Sequence, residues 1–161
     1  MSFFEDLVVG TARELGEETF TADAIKTYAR AYDPQPFHLD EEAGRRSHFG
    51  ALCASGLQVL AVSMKLMIAT QDRLEAEERA RGKAVPPRGP SPGVETVRWL
   101  KPVFAGDTLR FRTTLADKRA SASRPEWGIT TWHMEAFNQK GEQVLSYRGN
   151  VFVRRRAQAA A

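Results

Sequence analysis

The sequence predicts an α+β protein, with helices in the first half of the chain and long antiparallel strands in the second. Residues 51–74 hold the longest run of apolar residues at helical spacing. Much of the first half of this run is apolar all round, which indicates a helix buried at the centre of a fold. From residue 94 onward the apolar residues alternate with a period of two, as in half-buried strands. Short turns separate these strands, so we expect an antiparallel sheet that covers the helix.

Local signals predict the remaining elements. Residues 10–20 are expected to form a first strand. Thr21 is a suitable N-cap for a helix that ends at Asp33-Pro34, and Asp40 caps a short polar helix that runs to Ser47. Four further strands are expected at residues 94–100, 108–116, 128–137 and 143–153, with a hairpin turn at residues 138–141.

Length and composition favour one globular domain over residues 1–156, followed by a frayed tail at residues 157–161. The net charge of +3 is small and the basic residues are scattered, which argues against nucleic-acid binding. No apolar run approaches the ~20 residues of a membrane span, and no signal peptide is evident. A single cysteine, Cys53, excludes an internal disulfide and fits a reducing compartment, so we expect a cytoplasmic protein. His48 and His133 have no partners at metal-ligand spacing, so no metal site is expected.

The segment Asp33-Pro34-Gln35-Pro36-Phe37-His38 carries the strongest chemical signal. Each proline fixes its own φ near about −65° and pushes the preceding residue toward an extended conformation. We therefore expect the acid and the imidazole to be held in a fixed, non-helical geometry, where they can share one water or one proton. Eighteen residues after the histidine, Gly56 heads the long apolar segment, and its N–H could polarise a carbonyl at a helix start.

Each of these residues also has a plainer interpretation. Asp33 could be an ordinary turn residue before proline, and His38 a hydrogen-bonded loop histidine. Gly56 could be a packing glycine where a strand crosses the helix. Ser55 suits a helix cap or a packing position, and Cys53 a small buried hydrophobe.

Two segments resemble the MaoC-like hydratases, the family of (R)-specific enoyl-CoA hydratases. The first is residues 33–38, which match the family's Asp-x-Asn-Pro-aliphatic-His signature except that Gln35 replaces Asn and Phe37 replaces the aliphatic residue. The second is residues 99–109, Trp-Leu-Lys-Pro-Val-Phe-Ala-Gly-Asp-Thr-Leu, which resemble the family's aromatic-x-x-Pro-Val-x-x-Gly-Asp-x-Leu segment. Ser55-Gly56 falls where the family has His-Gly, and Met64 falls where it can carry a serine.

The resemblance implies a single hotdog fold, in which a curved antiparallel sheet wraps a long central helix. It also implies syn addition of water to a trans-2-enoyl thioester, or its removal from an (R)-3-hydroxyacyl thioester. In this interpretation Asp33 and His38 act on the water, and the Gly56 N–H polarises the thioester carbonyl. The implied substrate is an acyl-CoA or acyl-carrier-protein thioester, with no cofactor or metal, and the implied assembly is a homodimer. The residues expected to contact the substrate are Gln35, Phe37, Ser55 and Met64.

Two other functions remain open at this point. Hotdog thioesterases rely on a carboxylate on the central helix or on a differently placed Asp, and residues 51–70 contain no Asp or Glu, which argues against this function. A hotdog subunit that only binds acyl groups is the non-enzymatic alternative. Residues 85–93, with four prolines and two glycines, form either a specificity loop over the substrate tunnel or a disordered surface loop.

Overall fold

The computed structural model describes residues 3–157, so residues 158–161 of the predicted tail lie outside the described part of the chain. Within this range, no helix is long and apolar enough to cross a membrane. A 3₁₀ turn at Phe4–Asp6 precedes the main elements. The helices are α1 (Ala22–Tyr32), α2 (Pro36–Leu39), α3 (Glu41–Arg46) and α4 (Gly56–Ala80), and the strands are β1 (Ala12–Thr19), β2 (Gly93–Trp99), β3 (Thr108–Ala120), β4 (Trp127–Phe137) and β5 (Gln143–Arg154).

The five strands form one antiparallel sheet in the order β1-β3-β4-β5-β2, which is open rather than closed into a barrel. Alternate residues of the strands point to one face and pack there as a continuous core. Phe111, Met134 and Leu145 belong to this core, together with Val59 of α4 and Ile25 of α1. The predicted α+β class, with one long helix packed on an antiparallel sheet, is confirmed.

The long helix differs from its prediction at both ends and in its burial. It begins at Gly56 rather than at residue 51 and continues to Ala80 rather than to residue 74. Residues 51–55 are not helical because Cys53 pairs with Phe104 as an isolated β-bridge. The charged residues between 72 and 79 lie in the last turns of α4, where Arg73 and Glu77 make an i,i+4 ion pair of 2.9 Å.

The prediction that α4 is buried all round is wrong for one of its faces. Leu57, Met64 and Ile68 are 50%, 41% and 38% exposed in the single chain. Since these residues recur at helical spacing, they form a continuous apolar stripe at the surface. The strand predictions need smaller corrections, because β1 is shorter than residues 10–20 and β3 continues four residues beyond 116.

Residues 85–93 are held against the rest of the fold by hydrogen bonds. The backbone of Pro90 accepts from the N–H of Phe152 at 3.0 Å, and the Ser91 hydroxyl donates to the carbonyl of Asn150 at 2.7 Å. Arg88 donates from Nε to Oε1 of Glu75, a buried carboxylate on α4, at 2.8 Å. The loop is therefore fixed between β5 and α4.

Gly89 marks the closest approach of this loop to the sheet and provides a test of its packing. A Cβ added at this position would lie 2.1 Å from the carbonyl oxygen of Phe152. We expect Gly89→Ala to lower the free energy of unfolding by about 1–3 kcal/mol in urea titrations, because backbone must move to make room. The matched control is Gly149→Ala, whose Cβ would meet only an ordinary contact of 3.7 Å to Tyr147, and a change within about 0.5 kcal/mol is expected. Equal effects of the two substitutions would contradict this description of the loop.

Candidate active site

The proline-containing motif links the end of α1 to the one-turn helix α2. Asp33 is the C-cap of α1, and its N–H donates to the carbonyl of Ala29 at 3.0 Å. Gln35 is extended, with φ −76° and ψ 141°, as expected before a proline. Pro36 then begins α2, since a proline suits the first position of a helix. The expected non-helical geometry is therefore wrong for His38, which lies within this helical turn.

The ring of His38 is buried and is anchored through one nitrogen. Nδ1 lies 2.7 Å from the carbonyl oxygen of Cys53. A carbonyl only accepts hydrogen bonds, so Nδ1 must carry a proton. In the neutral ring the lone pair is consequently on Nε2, which faces Oδ2 of Asp33 at 3.4 Å. Two acceptors then face each other, and a water that donates to both would satisfy them.

The carboxylate of Asp33 is held by two polar side chains. The pKa of Asp33 lies below its ordinary value, mainly because of the Ser55 hydroxyl. Burial of the carboxyl group opposes this shift, whereas the Gln35 side chain and the His38 ring lower the pKa further. Nε2 of Gln35 donates to Oδ1 at 2.8 Å. Asp33 is therefore an ionised acceptor at neutral pH, with Oδ1 held by Gln35 and Oδ2 directed at the imidazole.

Helix α4 begins beside this carboxylate. Ser55 is buried and is the N-cap of the helix, where its Oγ accepts from the N–H of Leu57 at 3.2 Å. Gly56 is the first helical residue, and in the described part of the chain its N–H has no hydrogen-bond acceptor. Its carbonyl accepts from Nε1 of Trp99 at 2.8 Å, and an added Cβ would lie 2.5 Å from that nitrogen. Gly56 is thus a packing glycine under the indole and also a helix-start amide available to a ligand.

The remaining predicted residues divide into two groups. Phe37 packs edge-on against the His38 ring, with 4.5 Å between centroids, so it supports the imidazole. Met64 lies two turns along α4 and lines a cavity of about 420 Å³ between this helix and the sheet. Asp33, His38 and Gly56 do not line that cavity. The structure therefore brings Asp33, Gln35, Phe37, His38, Ser55 and Gly56 together and places Met64 apart from them.

Sequence reasoning missed the role of the Cys53 backbone. Its carbonyl orients the imidazole, yet a backbone acceptor leaves no signal in the residue type. The thiol itself is buried, and burial raises its pKa to about 11, so it behaves as the expected small hydrophobe. Among residues 3–157, no group of three or more His, Cys, Asp or Glu side chains is arranged to hold a metal ion.

Comparisons with known proteins identify the family. The family model described as MaoC like domain matches residues 7–135, and the chain belongs to this family. A MaoC-like dehydratase from Rhodospirillum rubrum is 36% identical and superposes with a TM-score of 0.80 over 98% of this chain and 100% of that one. The open five-stranded sheet around one long helix is the hotdog fold, as the resemblance implies.

Two curated relatives extend the comparison. An uncharacterised Bacillus subtilis protein, YdeM, is 29% identical over 151 residues, which cover 94% of this chain and 98% of that protein. A mesaconyl-CoA hydratase from Cereibacter sphaeroides is 38% identical over 99 residues, which cover 59% of this chain. This chain matches only 29% of the length of that hydratase.

Ser55→Ala tests the electrostatic link between the cap and the carboxylate. We expect the pKa of Asp33 to rise in this variant, measured by carbon-13 NMR of its carboxyl group, because the main group that lowers it is removed. A lowered pKa adds stability that is present above the unfolded-state pKa and lost as pH falls through the folded-state value. The difference in the free energy of unfolding between wild type and variant should therefore become smaller below about pH 4. What remains at low pH is the loss of the helix cap, which is worth about 1 kcal/mol.

The control for this titration is Ser47→Ala. The Ser47 hydroxyl donates to the carbonyl of Gly44 and accepts from the N–H of Phe49, so it also serves the local backbone but has no contact with Asp33. The pKa of Asp33 should be unchanged in this control. An unchanged Asp33 pKa in Ser55→Ala would show that the cap does not act on the carboxylate.

Proposed function

We propose that the chain is a hydratase or dehydratase that adds water syn to a trans-2-enoyl thioester, or removes it from an (R)-3-hydroxyacyl thioester. The observation that carries this proposal is the buried His38 ring, anchored through Nδ1 with Nε2 3.4 Å from Oδ2 of Asp33. Membership of the MaoC-like family supports it, as does the similarity to a MaoC-like dehydratase and, over part of the chain, to mesaconyl-CoA hydratase.

The chemistry follows from the two acceptors. Water is a poor nucleophile, so a base must remove one of its protons as the oxygen bonds to C3 of the enoyl group. A water held between Oδ2 of Asp33 and Nε2 of His38 is oriented by both acceptors. The pair takes one proton from this water and returns one to C2 on the same face. The addition is then syn, and the pair ends in its starting protonation state.

Negative charge develops on the thioester oxygen in the enolate-like transition state. We assign its stabilisation to the N–H of Gly56, which begins a helix of 25 residues and lacks an acceptor within the described chain. The positive end of the helix dipole adds to this effect. An added Cβ at this position would collide with the Trp99 indole, so the packing of Trp99 on the helix start requires a glycine here.

The other four predicted residues receive supporting roles in this proposal. Gln35 and Ser55 hold the carboxylate, and Phe37 holds the imidazole, so these three are positioning residues. Met64 contributes to the wall against which the acyl chain packs. The thioester handle is coenzyme A or an acyl carrier protein, as in the coenzyme A thioester named for the partial relative.

Hydration of crotonyl-CoA, longer trans-2-enoyl-CoAs and mesaconyl-CoA tests this function directly. Loss of the conjugated double bond is followed by absorbance, with free thiol measured in parallel to detect thioester hydrolysis. We expect Asp33→Asn and His38→Ala each to lower kcat/KM by about 10²–10⁴-fold, because asparagine lacks the basic carboxylate and alanine lacks the imidazole acceptor. Matched controls are Asp23→Asn and His48→Ala, which change exposed side chains and should retain activity. Inactivity of the wild type on every substrate, or full activity of the dyad variants, would refute the proposal.

We also propose that the chain forms a homodimer through its exposed apolar surface. Strand β2 is an edge strand, and Val94 and Trp99 on it and Leu100 just after it are 44%, 50% and 46% exposed. The apolar stripe of Leu57, Met64 and Ile68 on α4 is exposed as well. Exposed apolar surface together with an unpaired sheet edge favours self-association about a two-fold axis.

Sedimentation equilibrium should therefore give twice the chain mass of 18.0 kDa. Leu100→Glu should raise the dissociation constant of the dimer by at least about tenfold, because the substitution places a charge on the apolar surface. Lys140→Glu in the exposed β4–β5 turn is the control and should remain dimeric. A monomeric wild type, or an unaffected Leu100→Glu, would rule out this interface.

A further inference from the structure

The cavity between α4 and the sheet contains one unexpected residue. Its walls are largely apolar, with Leu15, Met67 and Met134 among the side chains that line it. Arg13 on β1 is the one charged side chain that the described strands contribute to this lining. The inward face of a sheet normally carries apolar residues, so an arginine at this position requires an explanation.

The guanidinium of Arg13 is partly buried and lacks an anionic partner. Within residues 3–157 it makes no hydrogen bond or ion pair, and its one polar interaction is with the ring of Trp132, 5.0 Å away. Burial lowers its pKa, which reflects the cost of keeping the charge away from water. Trp132 is itself fixed by a 3.1 Å hydrogen bond from Nε1 to Oγ1 of Thr130. The stacked guanidinium is therefore held in place, with the donors at its edge still free.

The other charged residues of the lining differ from Arg13 because all of them are paired. Arg88 binds Glu75 and Asp72, Glu77 binds Arg73, and Glu78 binds Arg81 and Lys83. These groups are neutralised by protein neighbours at the end of the cavity formed by the last turns of α4. Among the lining residues of the described chain, Arg13 is the one whose charge has no protein partner, and this favours an anion as its ligand.

We propose that this cavity binds an alkyl carboxylate, with the carboxylate paired to Arg13 and the hydrocarbon packed against α4. A planar guanidinium fork matches a carboxylate with two parallel hydrogen bonds, and the apolar walls match an alkyl chain. The cavity volume of about 420 Å³ lies within the range of small-molecule sites. Asp33, His38 and Gly56 do not line the cavity, so the pairing with Arg13 takes place away from the dyad, although the hydrocarbon would share the wall at Met64 that is assigned above to the acyl chain.

Two sources supply such a group. One is a free fatty acid, and the other is the distal carboxylate of a dicarboxylic acyl thioester whose reacting end is at the dyad. The second source rests on the proposed hydratase function, whereas the first does not. Binding measurements separate the two without relying on catalysis.

Isothermal titration calorimetry with octanoate and octan-1-ol tests the pairing. We expect octanoate to bind to the wild type. Arg13→Met should lower the affinity for octanoate by about tenfold or more but change the affinity for octan-1-ol by less than about twofold, because only the carboxylate pairs with the guanidinium. Arg13→Lys should retain part of the affinity, since it keeps the charge. Arg110→Met, at an exposed arginine of β3, is the matched control and should bind octanoate as the wild type does.

Titrations with octanedioyl-CoA and octanoyl-CoA distinguish the sources. If Arg13→Met lowers the affinity for octanedioyl-CoA by about tenfold but leaves the affinity for octanoyl-CoA unchanged, Arg13 binds the distal carboxylate of the thioester. If Arg13→Met lowers the affinity for octanoate but not for octanedioyl-CoA, the ligand is the free acid. The proposal is overturned if Arg13→Met leaves both octanoate and octanedioyl-CoA binding unchanged, or if the wild type binds neither. These readouts are independent of turnover, so an inactive dyad would not affect them.

Discussion

The hydrogen bond between His38 Nδ1 and the carbonyl of Cys53 connects the parts of the chain that form the candidate site. Residues 51–55 form a non-helical segment that contacts both sequence motifs. On one side, the Cys53 N–H donates to the carbonyl of Phe37 at 3.3 Å; on the other, the Ala54 N–H donates to the carbonyl of Val103 at 2.8 Å. The same segment therefore aligns the imidazole, joins it to the motif at residues 99–109, and ends at Ser55, the N-cap of α4.

The beginning of α4 couples secondary structure to chemistry through one side chain. Ser55 caps the helix and also lowers the pKa of Asp33, so the helix start and the ionised carboxylate depend on each other. Gly56 follows immediately, with the Trp99 indole packed over it and its N–H free of a partner in the described chain. A carboxylate, an imidazole nitrogen and a backbone amide from three separate parts of the chain therefore meet near the start of α4. The proposed hydration assigns one task to each of these groups.

The sequence predicted the fold class and the strands of the second half, because these depend on periodicity and on residue type. It also indicated that Asp33 and His38 lie near each other, and the structure places His38 Nε2 3.4 Å from Asp33 Oδ2; their role as a catalytic dyad stays a prediction. Sequence reasoning failed where tertiary contacts override local pattern. Residues 51–55 were expected to be helical, but Cys53 pairs with Phe104 instead. The stripe that includes Ile68 is apolar yet exposed in the single chain. The Cys53 carbonyl and the unpaired state of Arg13 were beyond prediction, since one is backbone and the other depends on distant neighbours.

The central claim is that His38 presents a bare Nε2 to the carboxylate of Asp33, so that a water is held between them. Nitrogen-15 NMR of the His38 ring tests it most directly, in solution alkaline enough for the ring to be neutral. We expect the tautomer with the proton on Nδ1, and we expect the same tautomer in the Asp33→Asn variant because the Cys53 carbonyl rather than Asp33 fixes it. A proton found on Nε2 would mean that the imidazole donates directly to the carboxylate, and would contradict the proposed activation of water.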